Sequence, residues 1–155
     1  MSFNRIVLRQ YQEKVNQAVL RFGGPILPVS EGWLKTVRTA LGLSGPQVAK
    51  RLGVSKAQVS KTEKGEVVGS VTLRTMQNTA EAMHCRFVYA VIPEAEVELV
   101  IREQAIKKAK ARVKAASTQM ALEAQALSKS QLDAEVDRIA TEIIEKMPSD
   151  LWHDK

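Results

Sequence analysis

The chain reads as a mainly α-helical protein with one short β-strand, on three observations. Apolar residues recur at three- and four-residue spacing through most of its 155 residues. Ser, Thr, Gly and Pro stand where such helices would begin and end. Only residues 86–92, RFVYAVI, combine β-branched and aromatic side chains in the manner of a strand. The chain divides into an N-terminal helix and linker over 1–30, a compact helical domain closed by the strand over 31–93, and a helical extension over 94–155.

The N-terminal arm helix places Leu8, Tyr11, Val15, Val19 and Phe22 on one face, and Gly23-Gly24-Pro25 halts it. Residues 25–30 carry two prolines and read as an extended connector. Trp33, Leu34, Val37 and Leu41 then line a second helix, with Ser30 as its expected N-cap and Trp33 in its core. Three short helices follow, over 44–52, 55 to about 64, and about 72–83; each follows a Ser or Thr, and Gly53 and Gly65 are the expected stops. Arg86, Phe87, Val88, Tyr89, Ala90, Val91 and Ile92 form the strand, and Pro93 ends it. A lone strand leaves its backbone groups open, so a second copy of the chain is the expected pairing partner.

Residues 94–126 contain neither Gly nor Pro and are rich in Ala, Glu, Lys, Gln and Leu, which predicts one long helix. A last amphipathic helix begins at a cap-like Ser128 or Ser130, with Asp133 three residues after Ser130, and presents Leu132, Val136, Ile139, Ile143 and Met147. Pro148 ends it ahead of a tail containing Leu151 and Trp152.

Composition narrows the function. With 45% hydrophobic residues the chain can bury a core. A single cysteine, Cys85, permits no intrachain disulfide, and no stretch approaches about 18 consecutive apolar residues. The expected setting is the cytoplasm, away from membranes. The net charge of +6 is uneven: residues 1–114 hold 19 basic and 9 acidic side chains, residues 115–155 hold 4 and 8. A basic body suits a polyanion, because neutralised phosphates release condensed counterions. The acidic end would be repelled and must serve something else.

The most informative segment runs from Leu43 to Gly65. Ala49 is small where two helices approach closely, and Gly53 permits the tight turn between them. Val48, Leu52, Val54 and Val59 would wedge the second helix onto the first, which makes the pair a helix-turn-helix and residues 31–93 a DNA-binding domain. With Val59 inward, Lys56, Ala57, Gln58, Ser60 and Lys61 lie on or near the outward face of the first turns, the part of a recognition helix that meets base edges. Gln58 can pair bidentately with adenine, Lys56 or Lys61 can donate to guanine, and Ala57 can touch a thymine methyl. Ser44, Ser55, Lys35, Arg38, Lys50, Arg51 and Lys64 are the expected phosphate contacts, which position the protein without reading sequence.

Residues 31–83 resemble the Xre, or Cro/repressor, helix-turn-helix family. The matching pieces are Val48-Ala49, Leu52-Gly53-Val54-Ser55, Val59-Ser60, Glu63 with Gly65, and Leu73 with Ala80-Glu81-Ala82-Met83. Gly32-Trp33-Leu34, Arg38, Ala40 to Gly45, Cys85, Val88-Tyr89-Ala90 and Pro93 resemble more narrowly the proteins called mobile mystery protein A. That resemblance covers roughly residues 30–95. It implies a transcriptional repressor, dimeric on a palindromic operator, encoded beside a Fic-domain protein as its antitoxin-like partner. Two departures stand out. Gly45-Pro46 replaces the Thr-Gln that opens the first motif helix in many Xre proteins. Fic-inhibiting antitoxins often carry Ser or Thr, then Glu four residues on, then Gly or Asn; Thr62, Glu66, Val67 and Thr141, Glu145, Lys146 both lack the last residue.

Other classes find less support. His84 and His153 are far apart, and no nucleophile–base pattern or glycine-rich phosphate loop is visible, so the reading is of a non-enzyme without cofactor or metal. The rival is a protein-interaction module in which the C-terminal helices hold a partner, with Leu151-Trp152 as an anchor for that partner's groove.

Overall fold

The computed structural model describes residues 5–24, 29–122 and 127–153, with the side chains of 120–122 outside that description. Seven helices span the described residues: α1 (Arg5–Phe22), α2 (Trp33–Ala40), α3 (Gly45–Leu52), α4 (Lys56–Val68), α5 (Leu73–Ala82), α6 (Val97–Leu122) and α7 (Lys129–Lys146). They fall into two compact units. Residues 25–90 form one, and residues 1–24 with 91–155 form the other.

In the 25–90 unit, Leu34 from α2, Val48 and Ala49 from α3, Val59 from α4 and Met83 beyond α5 are buried together. Val37, Leu43, Leu52, Met76 and Cys85 pack around them. The helices start where sequence chemistry says they should. Ser44, Ser55 and Thr72 each accept the backbone N–H three residues on, from Gln47, Gln58 and Thr75. Three side chains assigned to the core sit elsewhere: Trp33 and Leu41 are each 52% exposed and Val54 is 41% exposed. α2 contributes Leu34 and Val37 to this core.

Two helix ends differ from expectation. α4 does not stop at Gly65. It continues to Val68, and Gly69, at φ 75°, supplies the left-handed turn that ends it. Gly65 is instead a buried contact, since a Cβ there would lie 2.6 Å from Val71 Cγ2. At the start of α2 Ser30 plays no capping part. The N-cap position is Gly32, and the carboxylate of Glu66 takes over, accepting the Trp33 N–H at 2.7 Å and the Leu34 N–H at 2.9 Å. An anion thus satisfies two open donors at the positive end of the helix. Glu66→Ala should lower the unfolding free energy by about 0.5–2 kcal/mol, measurable by urea titration; a change within error would mean that water caps α2 equally well.

The expected strand does not form. Residues 85–93 carry neither helix nor strand, and no strand occurs among the described residues. Phe87 and Tyr89 stack at 5.6 Å between ring centroids, as side chains two apart do on extended backbone. A strand exists only through a ladder to a neighbour, and within one copy of the chain no neighbouring segment supplies it.

In the other unit α6 and α7 pack along a seam of Ile101, Ala105, Ala109 and Val113 against Val136, Ala140 and Ile143. Ala105 and Ala109 are fully buried, so the Ala-rich character of α6 brings the two helices close together. Ser128 caps α7 in a reciprocal box with Gln131, in place of Ser130 with Asp133. The described part of α6 ends at Leu122, and the expected continuation over 123–126 lies outside the described residues. α1 joins this unit through Asn16, whose side chain donates to Glu98 at 3.1 Å and accepts the Val97 N–H at 3.4 Å at the start of α6.

The tail folds onto its own unit. Leu151 is 1% exposed and belongs to the α6–α7 core, so it is not a free anchor for a partner's groove; Trp152 beside it is 54% exposed. Gln104 donates to the Leu151 carbonyl at 2.9 Å, and Lys108 pairs with the Asp150 carboxylate at 2.9 Å. The hydrogen bond and charge of Lys108 hold the Asp150 pKa below its ordinary 3.8. A depressed carboxylate contributes stability above its unfolded pKa and loses it as pH falls through the folded value. Acidification below about pH 4 should therefore loosen the tail, and Asp150→Asn should flatten that part of a melting-temperature-versus-pH curve.

Candidate nucleic-acid interface

The sequence from Ser44 to Val68 folds as helix, tight turn, helix. Ser44 and Gln47 cap α3 reciprocally: the Ser44 N–H donates to Gln47 Oε1 at 2.7 Å, and the Gln47 N–H donates to Ser44 Oγ at 3.3 Å. Pro46 sits in the first turn, where its missing N–H is no loss. Gly53 then takes φ 68°, a left-handed conformation that lets the chain reverse, and the Val54 N–H closes onto the Ala49 carbonyl at 3.0 Å. Ser55 starts α4 by accepting the Gln58 N–H at 3.1 Å.

Burial sorts the residues of α4. Val59 and Thr62 face inward, Val59 being 3% exposed. Lys56, Ala57, Gln58, Ser60 and Lys61 are all exposed, so the five expected base readers share the open side of the helix's first turns. Those turns combine amide donor and acceptor, ammonium, hydroxyl and methyl groups, a set that can address several base edges.

The expected phosphate residues divide. Arg38 is a structural cation: its guanidinium grips the Glu63 carboxylate through Nε at 2.5 Å and Nη2 at 3.1 Å, while Nη1 donates to the Leu43 carbonyl at 3.0 Å. Both side chains are largely shielded, at 17% and 11% exposure. The Glu63 hydrogen bond and charge raise the Arg38 pKa further, against the effect of burial. This pair ties α2 to α4. Arg51 donates to the Ala82 carbonyl at the end of α5 at 2.9 Å, and Lys35 pairs with Glu31 at 2.9 Å. Ser44 and Ser55 are engaged as caps. Lys50 and Lys64 are exposed and make no ion pair among the described residues, as is also true of Lys56 and Lys61.

A cleft of about 420 Å³ opens between α2, the start of α3 and α4, with Lys35, Arg38, Lys56, Ser60, Glu63 and Lys64 among its walls. Glu31 also lines it, and Lys35 and Arg38 are paired with Glu31 and Glu63, which leaves Lys56 and Lys64, near the N-terminus of α3 at Gly45, as the cations that favour an anion there. Among the described residues no three of His, Cys, Asp and Glu come together as metal ligands, and no helix is long and apolar enough to cross a membrane.

Residues 32–82, about a third of the chain, match the family described as a helix-turn-helix domain. That likeness coincides with the helix, tight turn and helix that the structure shows from Ser44 to Val68. No curated protein and no solved structure matches the chain significantly. The helix-turn-helix domain takes in α2 to α5, so Lys35, Arg38 and every expected base reader lie inside it. The two features that sequence reading missed, the Glu66 cap and the Arg38–Glu63 clamp, also lie within it. Each joins residues more than 20 positions apart, and local periodicity carries no signal for such a pairing.

Proposed function

We propose that this chain is a sequence-specific, double-stranded-DNA-binding regulator that reads its site with the first turns of α4. The observation that carries the reading is the joint exposure of Lys56, Ala57, Gln58, Ser60 and Lys61 on the capped second helix of a helix-turn-helix domain. Lys50 and Lys64, exposed and without ion pairs, are the phosphate contacts favoured by their freedom; Lys35 can join them by exchanging Glu31 for a phosphate. Arg38 and Arg51 act by holding the domain's shape.

Binding by fluorescence anisotropy to the DNA just upstream of the gene, against scrambled competitor at several salt concentrations, tests the reading. Tight binding that survives competitor is expected; binding that competitor abolishes would end the claim of specificity. Lys50→Ala should weaken binding to all sequences alike and make the slope of log K against log salt shallower by about 0.9.

The resemblance to mobile mystery protein A extends the proposal to repression of the chain's own operon and an antitoxin-like partnership with a Fic-domain protein. Neither Thr-to-Glu approach to the inhibitory motif carries that partnership. Glu66 is committed to capping α2 and Thr62 is buried, so inhibition through them would require unmaking the domain's own packing. Dimerisation on a palindromic operator follows from reach, because one recognition helix reads only a few base pairs of major groove and two-fold sites double the reading. Light scattering at micromolar concentration should give twice the monomer mass; a strictly monomeric mass, with and without operator, removes this extension.

A further inference from the structure

α6 carries a charged surface that the helix-turn-helix reading leaves unused. From residue 107 to 114 five of eight side chains are Lys or Arg and none is acidic. Lys108 is largely buried and held by Asp150. Lys110 and Lys114 stand one helical turn apart, are exposed, and make no ion pair among the described residues. Of the five carboxylates of α7, two meet cations of their own helix. Glu135 pairs with Arg138 at 2.7 Å, and Glu142 pairs with Arg138 at 3.5 Å and with Lys146 at 2.5 Å. Neither of these carboxylates pairs with Lys110 or Lys114, which stay open among the described residues. Beside these two lysines lies a groove of about 490 Å³ with an apolar floor of Val113, Leu132 and Val136 and with Lys110, Lys114 and Ser117 on its rim.

We propose that Lys110 and Lys114 form a second contact to the phosphate backbone of duplex DNA, outside the segment that reads sequence. The proposal rests on the DNA-binding reading above. An exposed lysine gains little from a solitary carboxylate in water, because the pair is screened and must be held in one geometry. A polyanion differs, since every phosphate neutralised releases condensed counterions, and two flexible lysine side chains rooted about 5–6 Å apart at Cβ can reach neighbouring phosphates. The contact adds affinity and salt dependence without base preference.

The test compares full-length wild type with Lys110→Ala/Lys114→Ala on the upstream duplex and on a scrambled duplex of equal length. Anisotropy is recorded from low to moderate salt, and equal melting temperatures show that the exposed substitutions leave the fold intact. The slope of log K against log salt should become shallower by about 1.8 on both duplexes, with their affinity ratio unchanged. Lys110→Arg/Lys114→Arg should retain the wild-type slope. An unchanged slope in the alanine variant, alongside a shallower slope for Lys50→Ala, overturns this proposal and leaves the helix-turn-helix reading standing. Loss of polyglutamate binding with an unchanged duplex slope overturns it in favour of an acidic protein surface. No salt-dependent duplex binding by wild type would remove the underlying reading itself.

Discussion

Leu34→Ala should destabilise the 25–90 unit by about 2–5 kcal/mol, the largest effect expected of a single substitution in it. Leu34 is 4% exposed and meets Val48, Ala49, Val59 and Met83, so its removal withdraws apolar surface from water-free packing and leaves a cavity that helices tied by the Arg38–Glu63 clamp cannot easily close. For a unit of this size each kcal/mol shifts the melting midpoint by about 4–8 °C, so calorimetry can resolve the change. Trp33→Ala is the informative control. The larger side chain lies next door but is 52% exposed, and its loss should matter far less. If the two substitutions were equally harmful, the exposed tryptophan would have to be packed against something other than this core.

Gln58→Ala should lower discrimination at one base position by about 1–3 kcal/mol, equivalent to roughly 5- to 150-fold. Gln58 offers a side-chain amide that can donate to and accept from a single adenine edge, and its backbone N–H is already held by the Ser55 cap. The substitution leaves the helix start intact and removes only the reader. Competition among duplexes carrying each base at every operator position would show preference relaxing at one pair of symmetry-related positions, with affinity for unrelated sequence and the salt slope both retained. Uniform weakening across all sequences would mark Gln58 as a backbone contact, and no change at all would move the reading face away from it.

Local chemistry was legible wherever the deciding interaction spans only a few residues. Ser44, Ser55 and Thr72 cap helices because the hydroxyl and the N–H it accepts are three residues apart, and Val59 falls inside while Lys56, Gln58 and Lys61 fall outside because a 3.6-residue period allows little else. Gly53 could be assigned to the turn for the same reason. Gly65 could not be told from a helix stop, because a glycine that ends a helix and a glycine that admits Val71 look alike in sequence. The strand composition of residues 86–92 was equally visible, but composition does not provide the neighbour that a ladder requires.

The sequence by itself determined that this protein is helical, that residues 44 to about 64 hold a capped helix, a turn and a second helix, and which side chains of that second helix look outward. Tertiary structure alone decided which cations remain available: Arg38 goes to Glu63, Arg51 to Ala82, Lys108 to Asp150, while Lys50, Lys64, Lys110 and Lys114 make no ion pair among the described residues. It alone decided that Glu66 caps α2 from 32 residues away and that Leu151 returns to the α6 seam. The physical reason is range. Capping and helical periodicity act within one or two turns of chain, whereas a charge or an apolar side chain takes whichever partner the fold brings within a few ångströms.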